Sequence, residues 1–294
     1  MLECERNTNI KMSEKDFKNT DLFRKIVNIS KNARINAIKM ASKSGASHIA
    51  SALSVVDIIA TLYGGILKYD IKKPKSSKRD IFILSKGHSG VALYATLAQV
   101  GFFNIDDLEN YYTYGSLLSG HVSHKVNGVE LSTGALGHGL SVATGIAYSF
   151  KLNKKPNQVY VVIGDGECNE GQVWEAIMLA VQLKLDNLHI IVDRNSMQAL
   201  GYSKDIIDLN KIEEKFKVFG CNVESCDGHN FYKMFYALQV QKKGIPTVII
   251  AQTIKGKGVS FMENKLLWHY RNPSAEDVVV AQKELEDYYA QYGC

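Results

Sequence analysis

Between residues 158 and 253 the chain changes hydrophobic period six times. Runs of β-branched residues, QVYVVIG (158–164), LHIIVDR (188–194), CNVESC (221–226) and PTVIIAQT (246–253), alternate with segments of helical spacing. Those segments are VWEAIMLAVQLKL (173–185), LNKIEEKFKVF (209–219) and HNFYKMFYALQVQKK (229–243). Continuous Val/Ile runs suit strands buried on both faces, and strands separated by helices run parallel. The pattern therefore predicts an α/β fold, a mostly parallel sheet with helices on both faces. In such sheets ligands bind beyond the carboxyl ends of the strands.

The rest of the chain extends this reading. IFILS (81–85) reads as a further strand followed by a helix over 89–100. Apolar residues Leu22, Ile26, Ile29, Ala33, Ala37 and Met40 fall at helical spacing, and Ser54 with Asp57 reads as a capping pair for a helix through Leu67. Asn104 is expected to cap IDDLENYY, residues 139–152 form a small-residue helix, and Ser274 opens the last helix. Residues 1–20 read as a flexible extension and 21–294 as a single domain. No apolar run reads as long enough to span a bilayer, and the first residues lack a signal-peptide pattern. The basic cluster KKPKSSKR (72–79) has no interleaved aromatics and reads as a solvated loop, so no nucleic-acid site is expected. The five cysteines, Cys4, Cys168, Cys221, Cys226 and Cys294, have neither C-x-x-C nor zinc-ligand spacing and are expected to be reduced thiols of a cytoplasmic protein.

The strand 158–164 ends in Gly164-Asp165-Gly166 and the next in Arg194-Asn195-Ser196. Consecutive strands are commonly neighbours. A carboxylate and an amide oxygen then converge, and hard divalent cations such as Mg²⁺ take such oxygens together with phosphate and water. Gly164 and Gly166 would let backbone N–H groups approach a phosphate at a helix start. These residues alone suggest a diphosphate held through a metal. Neither a GxGxxG fingerprint nor a Walker pattern is present.

The segment GDGECNEG…DRNSMQALG resembles the thiamine-diphosphate motif, which begins GDG and closes on Asn after roughly thirty residues. ASHIASALS (46–54), LSKGHSGVALYATL (84–97), SGHVS (119–123), ELSTGALGHGLSVATGIA (130–147) and KGKGVSFMENKLLWH (255–269) extend the likeness. Together they resemble the N-terminal half of transketolase, over residues 40–270. The resemblance implies a thiamine-diphosphate-binding fold of the diphosphate type and a transketolase reaction, two-carbon ketol transfer from a ketose to an aldose. It implies that Asp165, Asn195 and the backbone carbonyl of Met197 hold Mg²⁺ or Ca²⁺. Gly134, Ala135, Leu136, Gly164, Gly166, His88 and His269 would then line thiamine diphosphate. The family usually has Pro where Ala135 stands. His48 and His269 would face the donor's hydroxyls and His121 the reacting carbons, tasks suited to imidazole. His189 and His229 read as structural. Glu170 would lie at a subunit interface and pass protons between two sites; Glu175 belongs to the same stretch.

The family's second half, the pyrimidine-binding domain with the activating glutamate, has no counterpart in these 294 residues. The resemblance therefore implies a split transketolase: a C-terminal partner subunit, self-association into an α₂β₂ assembly, and small sugar substrates. The alternatives are a specialised transketolase-like enzyme of secondary or unusual-sugar metabolism, the α subunit of a 2-oxoacid dehydrogenase decarboxylating component, and a non-catalytic cofactor-binding regulatory subunit.

Overall fold

The structure is a computed structural model and describes residues 12–293. Within them, five strands form one fully parallel sheet in the order β1-β2-β3-β5-β4. They are β1 (Ile81–Leu84), β2 (Val159–Gly164), β3 (Leu188–Arg194), β4 (Asn222–Asp227) and β5 (Thr247–Gln252). Alternate residues divide between two cores. Phe82, Leu84, Tyr160, Val162, Ile191, Ile249 and Ala251 face one side, and Ile83, Val161, Ile163, Ile190, Val192 and Ile250 the other. Each face is covered by helices, as the continuous β-branched runs require.

The ten α-helices among the described residues are α1 (Glu14–Lys18), α2 (Asp21–Ser44), α3 (Ile49–Thr61), α4 (Gly90–Gln99), α5 (His138–Leu152), α6 (Gly171–Gln182), α7 (Ser203–Ile206), α8 (Ile212–Val218), α9 (Phe231–Ala237) and α10 (Ala275–Ala290). The first core takes its apolar side chains from α2, α3, α4, α9 and α10, and the second from α5, α6 and α8. Short 3₁₀ turns lie at Gly87–Ser89, Ile105–Asn110, Gly166–Asn169 and Leu266–His269, and a π turn at Leu62–Ile66. Asn104 caps the 105–110 turn, and Ser274 with Asp277 forms a full capping box on α10.

Four expectations need correction. Ser54 and Asp57 do not cap a helix. The helix starts five residues earlier, after His48 in the left-handed region (φ 69°), and both side chains are buried inside it. Ser54 donates to Asp193, and Asp57 binds Arg34 and His229. Secondly, Ile49–Ile66 is apolar and long enough to cross a membrane, yet 89% of it is buried as a core helix. Thirdly, part of the stretch read as a flexible extension is packed. α1 places Phe17, 2% exposed, against Phe23 and Phe235. Residues 1–11, with Cys4, lie outside the described residues, as does Cys294. Fourthly, helices are shorter at one end than expected: α6 ends before Lys184, whose φ is 53°, and α8 begins only after Lys211 at φ 55°. Cys168, Cys221 and Cys226 are free thiols.

Candidate functional site

All five strands deliver chemistry at their carboxyl ends. β1 leads into Ser85, Lys86 and His88; β2 into Asp165; β3 into Asn195; β4 into His229; and β5 into Thr253 and Lys255. β2 and β3 are neighbours with Gly164 opposite Asp193, so Asp165 and Asn195 stand side by side, as their spacing suggests. Asp165 Oδ1 accepts from Gly166 N (2.9 Å), and Oδ2 from Ser196 N (2.7 Å) and Ser203 Oγ (3.3 Å). Asn195 Oδ1 accepts from Met197 N at 3.1 Å. Burial and then the neighbouring Asp193 charge push the Asp165 carboxyl up to about 6. A bound cation would act in the opposite sense.

The four histidines tied to the resemblance come together. The His48 ring centre lies 4.8 Å from His269, 5.3 Å from His88 and 6.3 Å from His121. His48 N–H donates to the His269 carbonyl at 3.0 Å, joining the start of α3 to the 266–269 turn. Tyr94 Oη donates to the His121 carbonyl (2.9 Å) and accepts from Ser123 N–H (2.9 Å), fixing the loop that carries His121. The KGH turn packs so closely on residues 132–134 that a Cβ at Gly87 would sit 2.4 Å from the Thr133 carbonyl oxygen. Gly134 and Ala135 are exposed beside this turn, and Leu136 is held through its carbonyl by Gln172 (2.8 Å). Glu170 is exposed at the start of α6 and makes no capping bond. His189 stacks on Tyr160 at 4.6 Å inside the sheet, in keeping with a structural residue.

Burial drives His88 well below its usual range, with Lys86 next in effect; burial, then Lys255, takes His269 to about 3. Burial and His121 also lower His48. At neutral pH these rings are uncharged, able to donate from one nitrogen and accept at the other.

Sequence reasoning missed a buried charged layer beneath the histidines. Lys86 (2% exposed) pairs with Asp193 (0%), which also accepts from Ser54 and Thr253. Burial opposes the Asp193 charge, and Lys86 outweighs it, holding that carboxyl below its usual range. Glu167, 2% exposed, accepts from Ser85 Oγ, from Gly137 N (2.7 Å) and from Gly164 N (3.0 Å). One carboxylate thus ties the ends of β1 and β2 to the 133–137 loop. A charge within an apolar strand run, as in IIVDR, is the signal that could have pointed to Asp193.

The residues fit a divalent cation and a phosphorylated ligand. The donor set at Asp165, Asn195 and Met197 is all oxygen, which suits Mg²⁺ or Ca²⁺. Among the described residues no cluster of three or more His, Cys, Asp or Glu forms a metal cage. This set, with one carboxylate and two neutral oxygens, calls for further ligands such as phosphate. Two buried polar atoms facing no partner among the described residues, His48 Nδ1 and Gln198 Nε2, belong to the same loops. A Cβ at Gly164 would find no protein atom nearer than 4.0 Å, so space lies open beside the strand end.

Comparison with known proteins shows the family to which the chain belongs. Residues 25–289 match the family model of the transketolase thiamine diphosphate binding domain. The chain is 42% identical over 249 residues to an apulose-4-phosphate transketolase subunit from Actinobacillus succinogenes, covering 84% of this chain and 90% of that one. It is 41% identical over 247 residues to the 6-deoxy-6-sulfo-D-fructose transketolase subunit SqwG of a Clostridium species, covering 83% and 90%. In structure it is similar to transketolase from Leishmania mexicana, with TM-score 0.80 and 24% identity, over 91% of this chain but 45% of the other.

Proposed function

Because the chain belongs to the transketolase family through its thiamine diphosphate binding domain, we propose that it is the diphosphate-binding subunit of a two-chain transketolase. It acts in ketol transfer from a ketose donor to an aldose acceptor together with a partner subunit bearing the pyrimidine-binding half. The observation that carries this reading is the convergence of His48, His88, His121 and His269 above adjacent strand ends that present Asp165 and Asn195. Relatives named as transketolase subunits, matched over 90% of their length, support the division into two chains.

Thiamine diphosphate, when bound, supplies the nucleophilic carbon and the electron sink for cleavage beside a carbonyl. In our reading Asp165, Asn195 and the Met197 carbonyl hold Mg²⁺ or Ca²⁺ against the diphosphate. His88, Gly134, Ala135, Leu136, Gly164, Gly166 and His269 line the cofactor, and the buried Lys86 and Lys255 offset anionic charge beneath it. His48, His121 and His269 exchange protons with sugar hydroxyls and orient the donor, with His48 and His269 uncharged at neutral pH. The names of the two relatives, one for apulose-4-phosphate and the other for 6-deoxy-6-sulfo-D-fructose, favour a specialised sugar substrate.

The test is reconstitution. Ketol transfer should be absent from the isolated chain, appear on mixing with the candidate pyrimidine-binding chain, and reach a plateau at equimolar ratio. In the assembled enzyme His48→Ala and His121→Ala should each lower kcat by about 10²–10⁴ while leaving cofactor affinity nearly unchanged. Full activity without added partner, or near-normal turnover in both variants, would overturn the reading.

A further inference from the structure

Lys255 lies in the loop just after β5 and is 1% exposed, more enclosed than Lys86 and second only to Arg34 among the buried cations. Its Nζ stands 2.9 Å from His269 Nδ1 and 3.3 Å from the Gln198 carbonyl, in the loop that follows Asn195. A charged lysine has three N–H donors and no acceptor. An ammonium at this distance from Nδ1 therefore requires a lone pair on that nitrogen, which leaves the ring proton on Nε2.

We propose that Lys255 is a positioning residue that fixes His269 as its Nε2–H tautomer. The inference rests on the reading of His269 as a residue facing cofactor and donor, and names what sets its chemistry there. His269 then presents a donor, not a lone pair, on the side of the ring away from Lys255. The same contact places a cation against the imidazole and disfavours a second proton on it.

The loop is built to hold this lysine still. Ile254 N–H donates to His229 Nε2 at 2.8 Å, so His229 carries its proton on Nδ1 and donates it to Asp57 at 2.8 Å. Gly256 N–H donates to the Ala50 carbonyl (2.9 Å), and the Lys255 carbonyl accepts from Asn264 N–H (2.9 Å). Asp57 in turn is anchored by both guanidinium N–H groups of Arg34, at 2.9 and 3.0 Å. The sequence reading left His229 as structural; its contacts assign it the support of the loop that carries Lys255. Burial and Lys86 lower Lys255 to about 8, which keeps it mostly an ammonium at neutral pH. The charged or titratable groups acting on His269 are Lys255, His48 and Lys86, with His88 and Tyr270 in ring contact.

The experiment needs neither cofactor, partner nor activity, so its outcome is separate from that of the ketol-transfer reading. The full chain is labelled with ¹⁵N-histidine, and the ring nitrogens of His269 are followed by NMR through a pH titration. In the wild type and in Lys255→Arg, Nδ1 should be unprotonated and His269 should resist protonation. In Lys255→Met, which keeps the length and loses the charge, the Nδ1 resonance should lose its hydrogen-bond shift. Its titration midpoint should rise by about one pH unit or more. A wild-type proton on Nδ1, or an unchanged midpoint in Lys255→Met, overturns the proposal. Should the Met variant not fold, the wild-type tautomer decides alone.

Discussion

Asp165 is a carboxylate that the chain keeps from water at 4% exposure and surrounds with N–H and O–H donors. Those donors favour the ionised form, yet burial and the Asp193 charge outweigh them. Our reading gives the remaining compensation to a divalent cation. Asp165→Ala should then weaken joint binding of thiamine diphosphate and Mg²⁺ by about 1.5–3 kcal/mol, roughly tenfold or more. Asn195→Ala should act in the same direction. Calorimetric titration in the presence of the partner measures both, and unchanged affinity in the pair would reject the metal assignment. At this scale the sequence was readable where motif and strand end coincide, as at Asp165 and Asn195. It was not readable for Asp57. Ser-x-x-Asp is the spacing of a helix cap, and only the fold reveals that Arg34 and His229, far off in the chain, claim that carboxylate. Burial opposes the Asp57 charge, and Arg34 followed by His229 prevails, holding it below the ordinary range.

The elements matter here through what their ends bring together. Long β-branched runs made the strands legible, but not the sheet order, in which β5 comes between β3 and β4. The short helices and the 3₁₀ turns were less so, because left-handed residues such as Lys184 and Lys211 interrupt otherwise helical patterns. That His48, His88, His121 and His269 belong to one cluster followed from family landmarks and not from spacing. Gathering them has a pH consequence. Their folded values are lowered where shifts are resolved, for His48, His88 and His269, against about 6.5 in an unfolded chain. As pH falls below about 6.5 the unfolded state takes up protons that the folded state refuses, so this stability is present above that pH and lost below it. Asp165 and Glu167, both raised mainly by burial, work the other way: they bind protons in the folded state first and gain stability as pH falls. The net slope mixes the two, and a variant separates them. The urea midpoint of wild type should decline more between about pH 8 and pH 5 than that of His88→Asn. Parallel curves would show that His88 is not the burdened group.

For the whole molecule the telling surface is the outer side of α5 and α6, which lie together over the second core. On α5, Val142, Tyr148 and Leu152 (62% exposed) point outward, with the exposed Gly145 between them. On α6, Met178 and Leu179, each about half exposed, follow Glu175 and Gly171 along one stripe that begins beside Glu170. Both stripes step by three or four residues, the spacing of a single helix face. Apolar side chains set together in this way usually mark a protein interface, and a face used by two copies of one chain closes most simply about a two-fold axis. We therefore expect the chain to dimerise through this face, with Glu170 at its edge, and two partner chains to complete an α₂β₂ assembly. Neighbouring Met178 and Leu179 would lie within the contact, so placing charge there should abolish pairing without touching either core. Sedimentation velocity should find a dimer for the wild type and a monomer for Met178→Lys/Leu179→Glu, with the same circular dichroism and melting of its helices. A monomeric wild type at tens of micromolar, or a double variant that still dimerises, would place the self-contact elsewhere and remove Glu170 from any route between two sites.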